Sequence, residues 1–228
     1  MLHSLSCMSM TYYLWEIVLQ CCKKLNLGFQ NSGEIHWTTV KTILKYLWNT
    51  KDIVLVYGAK PKNELKVSCY ADASFQTDKY DTISQTGYVF VLNGGAVDWK
   101  SAKQSNTAMS FTKAEYIVAA EASMEAVWMR KFINELGGVM PSNKRLMEIL
   151  YDNEPILAIA NDPEILKGAR HFQRKYHYIR EVVQEGEIVL KKVHTDDNVV
   201  DPFTKPMPFN KHFEHAMAIG IVHASSLM

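Results

Sequence analysis

The stretch LKVSCYADASFQTDKYDTISQTGYVFVLNGGAVDWKS, residues 65–101, decides the fold. From Leu65 to Ala73 the apolar side chains of Val67, Cys69 and Ala71 fall on every second position, the period of a strand with one face in a core. Gln76 to Gln85 is polar and reads as a loop. Gly87–Leu92 and Ala96–Ser101 are two further strands, joined by Asn93-Gly94-Gly95. That connection is a strong hairpin signal, because a tight turn between twisted strands needs positive φ at its centre, and Asn and Gly tolerate it. The stretch therefore predicts a three-stranded antiparallel meander.

Downstream, Thr112 to Leu136 carries Ile117, Ala120, Met124, Val127, Trp128, Phe132 and Leu136 at helical spacing, and Gly137-Gly138 stops the run; this predicts a long core helix. Leu146–Tyr151 reads as a strand, Glu154–Ala160 as a short helix, Arg174–Gln184 as a helix ending at Gly186, and Ile188–Val193 as a last strand. Asp197–Phe203 begins a final helical segment that Pro206 and Pro208 interrupt. The order predicts an α/β fold, a mixed five-stranded sheet with an antiparallel and a parallel half, flanked by helices. Upstream, Ser32 can cap a helix whose apolar face is Trp37, Val40, Ile43, Leu44 and Leu47, and Asp52–Tyr57 reads as a strand. Pro61 and Asn63 mark a turn at Lys60–Glu64, where a boundary is placed. The chain thus divides into a weakly patterned segment 1–28, a short helical connection 29–64, and a domain 65–228.

With 228 residues, 47% hydrophobic and 21% charged, the chain can bury a real core, which excludes disordered and collagen-like classes. Lys plus Arg number 25 against 24 Asp plus Glu, so any nucleic-acid site must be local rather than a global field. One local patch exists. Between Ile165 and Arg180 stand Lys167, Arg170, His171, Arg174, Lys175, His177 and Arg180 with no acid among them, and Tyr176 and Tyr178 are interleaved. Such a run suits a phosphate backbone, and equally suits a solvated helix face. His177 also reads as a packed histidine, and not as a metal ligand. Cys7, Cys21, Cys22 and Cys69 form no C-x-x-C pair and read as reduced thiols of an intracellular, non-secreted protein. Tyr12–Leu19 is short and broken by Glu16, so neither a signal peptide nor a membrane span is expected.

Four acids stand where these elements reach one end of the sheet: Asp72 in the first strand of the meander, Glu115 in the long helix, Asp152 just past a strand, and Asp201 near the start of the last helix. Carboxylates clustered without His or Cys suit hard divalent cations such as Mg²⁺, and a pair of such ions suits phosphodiester hydrolysis. The same acids also read as solvated loop charges, with Glu115 complementing a helix dipole. Spacing alone leaves both readings open.

Tyr70-Ala71-Asp72-Ala73-Ser74-Phe75, Thr86-Gly87-Tyr88-Val89-Phe90 and Gly94-Gly95-Ala96-Val97-Asp98-Trp99-Lys100-Ser101 resemble the ribonuclease H domain of copia-type LTR retrotransposon Pol polyproteins. Ala114-Glu115-Tyr116-Ile117, Tyr151-Asp152-Asn153, Tyr176-His177-Tyr178-Ile179-Arg180-Glu181, Gly186-Glu187-Ile188 and Asp201-Pro202-Phe203-Thr204-Lys205-Pro206 follow in the same order. The likeness covers roughly residues 29–220. Gly33 to Asp52 is similar to the connection that follows the reverse transcriptase in these polyproteins.

The resemblance implies a ribonuclease H-like fold and a site of four metal-holding acids, Asp72, Glu115, Asp152 and Asp201. It implies two Mg²⁺ ions, with Mn²⁺ able to substitute; Asp72 bridges both, Glu115 and Asp152 complete the site, and Asp201 holds the second. The implied substrate is the RNA strand of an RNA–DNA hybrid, cut with inversion at phosphorus to leave a 3′ hydroxyl and a 5′ phosphate. The implied hybrid-binding residues are Lys167, Arg170, Arg174, Lys175 and Arg180, and the implied partner is a reverse transcriptase domain in the parent polyprotein. Three positions depart from the family: Ser74 and Gln173 stand where Asp is common, and Lys113 where Glu is common. His194 stands where the family usually has Pro, so no role is carried over to it. The rival expectation is a remnant that binds nucleic acid without cutting it.

Overall fold

The computed structural model describes residues 34–58, 67–76, 82–135, 146–154, 156–157 and 173–227. The expectations for residues 1–28, for the turn at Lys60–Glu64, for most of the helix 154–160 and for Lys167, Arg170 and His171 lie outside them. Contacts divide the chain into two compact units. One takes the residues up to Val56 together with those from Gly220 on, and the other is Tyr57–Ile219.

In the larger unit, β2 (Val67–Ser74), β3 (Gln85–Leu92) and β4 (Gly95–Lys103) form the expected antiparallel meander. The turn between β3 and β4 is Asn93-Gly94, with φ of 49° and 88° and Leu92 paired to Gly95, a two-residue loop of the kind that matches the strand twist. β5 (Met147–Tyr151) pairs parallel with β2, and β6 (Ile188–Lys192) parallel with β5. The sheet order is β4-β3-β2-β5-β6, so β2 sits at the centre. This is the mixed five-stranded sheet of a ribonuclease H-like α/β fold.

The long helix α2 (Phe111–Glu135) packs on β2, but not through the stripe the periodicity suggests. Ile117, Ala120 and Val127 are buried, whereas Met124, Trp128 and Phe132 are 46%, 58% and 48% exposed. The buried face is built instead from Ala114, Ala119, Ala120, Ala122 and Ala126 with Tyr116, Ile117 and Val118. It meets a strand whose inward side chains, Cys69, Ala71 and Ala73, are equally small, and dense packing favours that match over a bulky stripe. Trp128 and Phe132 stack on each other, ring centres 5.5 Å apart. Helix α3 (Gln173–Gln184) buries Ile179 and Val182 in the same core and ends before Gly186, whose φ is 69°.

Beyond β6 the helical segment is interrupted at 205–208, where Pro206 and Pro208 stand, as expected. A 3₁₀ turn (Thr195–Asp197) leads into the short helix α4 (Asp201–Thr204), with Pro202 in its first turn. Pro208 is the N-cap of α5 (Phe209–Ala218). Proline lacks the N–H that a helix start leaves unpaired, so Pro202 and Pro208 also start these helices.

In the smaller unit, helix α1 (Glu34–Asn49) is followed by β1 (Ile53–Leu55), which pairs antiparallel with β7 (Ile221–His223). Val56 N–H donates to Gly220 O at 2.8 Å and Ala224 N–H to Asp52 O at 2.8 Å, extending the pair at both ends. The sequence reading contained no β7. Among the described residues no helix is long and apolar enough to cross a membrane.

Candidate metal centre

Strand register brings the first two acids together. Tyr70 pairs with Leu150 at the end of the parallel β2–β5 ladder, so Asp72 and Asp152, each two residues further along, leave the sheet edge on the same side. Asp72 is 4% exposed and faces Gly87 across the β2–β3 ladder.

Asp201 arrives from another element and is held by a chain of local contacts. Asn198, fully buried, donates from Nδ2 to Ala71 O at 3.4 Å, tying the loop to β2 beside Asp72. Its carbonyl accepts from Asp201 N–H at 3.1 Å, and Ser101 Oγ donates to Phe203 O at 2.7 Å. The helix α4 then rests on β3 where Gly87 has no side chain: a Cβ there would stand 2.5 Å from Thr204 Cγ2 and 3.3 Å from both Phe203 Cβ and Val200 Cγ2. That close approach lets Thr204 Oγ1 donate to Asp72 Oδ2. One carboxylate oxygen each from Asp72, Asp152 and Asp201 lie within 4.8 Å of one another.

Glu115 lies one turn inside α2 rather than in its first turn, on the buried face and 1% exposed, so complementing the helix dipole does not explain it. Neither of its carboxylate oxygens has a hydrogen-bond partner of good geometry among the described residues, and the Ala73 amide partly relieves the charge. Burial drives its pKa well above the usual carboxylate range, and the charges of Asp72 and Asp152 push the same way. Asp72 is pushed up to about 6, first by burial, against which the Thr204 hydroxyl and Lys205 pull while Asp201 and Asp152 add to the rise. Asp201 is raised by burial and relieved by Lys205, whose Nζ lies 2.9 Å from Asp201 Oδ1.

Closely set acids that resist ionisation fit a divalent cation. Asp72, Asp152 and Asp201 offer a clustered set of hard oxygen donors with the buried Glu115 nearby, and among the described residues Lys205 and His215 supply the positive charge acting on Asp201. The site residues named from the sequence thus fall into groups. Asp72, Asp152 and Asp201 come together, and Glu115 stands close enough to feel the first two. The basic patch is less complete. Lys167 and Arg170 lie outside the described residues, Arg174 and Lys175 fall on α3, and Arg180 is half-buried on the same helix. His177 is exposed rather than packed. His194 is exposed too, and its Nδ1 accepts from the Asp196 N–H at 3.2 Å, capping the 3₁₀ turn.

Gly87, Asn198, Thr204 and Lys205 were missed as site residues, although all but Asn198 stand inside motifs that carry the family likeness. Their signal is spatial, since strand register and the approach of α4 give them work. His215, also missed, is buried on α5 with Nε2 lacking a hydrogen-bond partner. Burial lowers its pKa, and the charge of Asp201 opposes that.

No family model matches the sequence. The retrovirus-related Pol polyprotein of transposon TNT 1-94 from Nicotiana tabacum is 33% identical over 182 residues, 80% of this chain and 13% of the polyprotein. That of transposon RE1 from Arabidopsis thaliana is 32% identical over 188 residues, 82% of this chain and 12% of the polyprotein. The chain therefore spans about an eighth of the length of these relatives. Among solved structures, the N-terminal RNase H domain of a Mycobacterium tuberculosis protein aligns with a TM-score of 0.45 at 14% identity, covering 68% of this chain and 98% of that one. Matched over 80–82% of its own length, the chain is a relative of the retrovirus-related Pol polyproteins of copia-type transposons.

Proposed function

We propose that this chain is a ribonuclease H that hydrolyses the RNA strand of RNA–DNA hybrids, acting as part of a retrotransposon Pol polyprotein and alongside its reverse transcriptase domain. The observation that carries the reading is the meeting of one carboxylate oxygen each from Asp72, Asp152 and Asp201 within 4.8 Å of one another, with the buried Glu115 close enough to feel the charges of Asp72 and Asp152.

Asp72, Asp152, Asp201 and Glu115 are the residues to hold Mg²⁺ or Mn²⁺, as two ions in the full reading. Such ions supply Lewis-acid stabilisation of a phosphodiester under attack and lower the pKa of water. The protein's own part is to position the donors. Thr204 fixes the rotamer of Asp72 through Oδ2, Gly87 lets Thr204 approach, and Asn198 ties the loop of Asp201 to β2. Burial leaves the carboxylates of Asp72, Glu115 and Asp201 poorly hydrated, so a cation that pairs with them offsets that cost. Helix α3, with Arg174, Lys175 and Arg180, and the preceding Lys167 and Arg170 supply charge for the hybrid backbone.

The test is incubation with a labelled hybrid at low salt in Mg²⁺, Mn²⁺ or EDTA, beside an Asp72→Asn variant. Metal-dependent cutting of RNA that disappears in the variant supports the reading. Binding of hybrid without cutting, equal in both proteins, rejects it in favour of a non-catalytic nucleic-acid-binding remnant.

A further inference from the structure

Lys205 stands at the acidic cluster, and nothing in a two-ion hydrolysis requires it. It follows α4 in an extended conformation, φ −140° and ψ 149°, and its N–H donates to Asp201 O at 3.0 Å, which fixes where the side chain starts. From there Nζ reaches 2.9 Å from Asp201 Oδ1, an oxygen that accepts no hydrogen bond from any other described group. The Asp201 side chain is 5% exposed and the Lys205 side chain 37%, so the ammonium enters from the solvent side of a nearly buried carboxylate. Its charge acts on Asp72 and Asp152 as well. Lys211, the next lysine, is paired instead with Asp196.

We propose that Lys205 is the chain's own counter-cation at the acidic cluster, and that a divalent cation must displace it from Asp201 to bind. This rests on the metal-centre reading above. An ammonium and a divalent cation sharing one carboxylate at bonding distances repel strongly, and at this degree of burial water screens them poorly. Lys205 has a long, partly exposed side chain and can swing out without disturbing the backbone. It therefore serves two states. Without a cation it offsets the crowding of Asp72, Asp152 and Asp201, and with one it yields its place, setting the cation concentration at which the site fills.

The experiment is a titration of the full chain with Mn²⁺, followed by electron paramagnetic resonance in the absence of nucleic acid, together with thermal unfolding in EDTA. Lys205→Gln is expected to lower the Kd for Mn²⁺ roughly three- to tenfold and to lower the Tm in EDTA. Lys205→Arg, which keeps the charge, is expected to bind as the wild type does. A Kd for Lys205→Gln equal to or above the wild-type value overturns the proposal while leaving the metal centre standing. So does Lys205→Arg binding as tightly as Lys205→Gln, or a higher Tm for Lys205→Gln in EDTA. If neither the wild type nor Lys205→Gln binds Mn²⁺ at millimolar concentration, the metal centre itself is refuted and the proposal falls with it.

Discussion

Removing one negative charge from the cluster is expected to stabilise the protein when no cation is present. In the folded chain the pKa of Asp72 is raised from 3.8 to about 6. Each pH unit is worth about 1.4 kcal/mol, so ionising Asp72 in the folded state at pH 7.5 costs roughly 3 kcal/mol relative to the unfolded chain. An acid raised in this way is fully compatible with folding below its unfolded pKa, and stability is lost as the pH climbs through about 6. Asp72→Asn removes that cost while its amide oxygen still accepts from Thr204. Part of the gain is forfeited to the imperfect fit of an amide among carboxylates, so about 2 kcal/mol is the expected net. For a domain of this size that is a rise in Tm of about 4–8 °C. The assay is thermal unfolding of wild type and variant in EDTA at pH 4, 6 and 7.5. The variant should lead at pH 7.5 and lose its lead by pH 4, where Asp72 is protonated. A variant no more stable than the wild type at pH 7.5, or a lead that persists at pH 4, refutes the reasoning.

Added Mg²⁺ at 10 mM should stabilise the wild type by about 1.4 kcal/mol if the site binds at about 1 mM, and Asp72→Asn by much less; unfolding curves with and without the ion measure both. Gly87→Ala puts a methyl group 2.5 Å from Thr204 Cγ2, so it should cost about 1–3 kcal/mol by denaturant unfolding and weaken Mn²⁺ binding as Thr204 is pushed off Asp72. Thr204→Val removes the hydroxyl that holds the Asp72 pKa down, so half-maximal Mn²⁺ binding should move to higher pH in a titration, and Thr204→Ser should restore it. A downward move in Thr204→Val contradicts the role assigned to that hydrogen bond. Gly94→Ala, at φ 88° with nothing near the new methyl, should cost about 1 kcal/mol of stability through backbone strain alone and leave Mn²⁺ binding unchanged.

The meander and the hairpin were legible because their signals are local. Alternation along Val67, Cys69 and Ala71 sets a face, and Asn93-Gly94 sets a turn whatever surrounds it. The four acids stood out by their place near the strand and helix ends, but only family likeness favoured a shared site, since no spacing in the chain reveals that Asp72 and Asp152 follow the end of one parallel ladder. What escaped depends on tertiary contact. Trp128 and Phe132 have the right period for a core and lose their place to alanines, because the strand beneath offers small side chains. Pro208 reads as a stop and is also a cap, since proline's meaning depends on whether a helix lies before or after it. Thr204 and Lys205 come to the acidic cluster only because α4 rests over Gly87.

The pairing of β1 with β7 also dictates an order of events during synthesis. Residues 53–55 leave the ribosome long before residues 221–223, so the only strand partner of β1 among the described residues arrives after the whole five-stranded unit has been translated. Until then Ile53, Val54 and Leu55 lack that ladder partner along a short apolar edge. Nascent chains thus hold this short apolar edge open until residues 221–223 are made, and a stop near Ile219 removes its strand partner among the described residues.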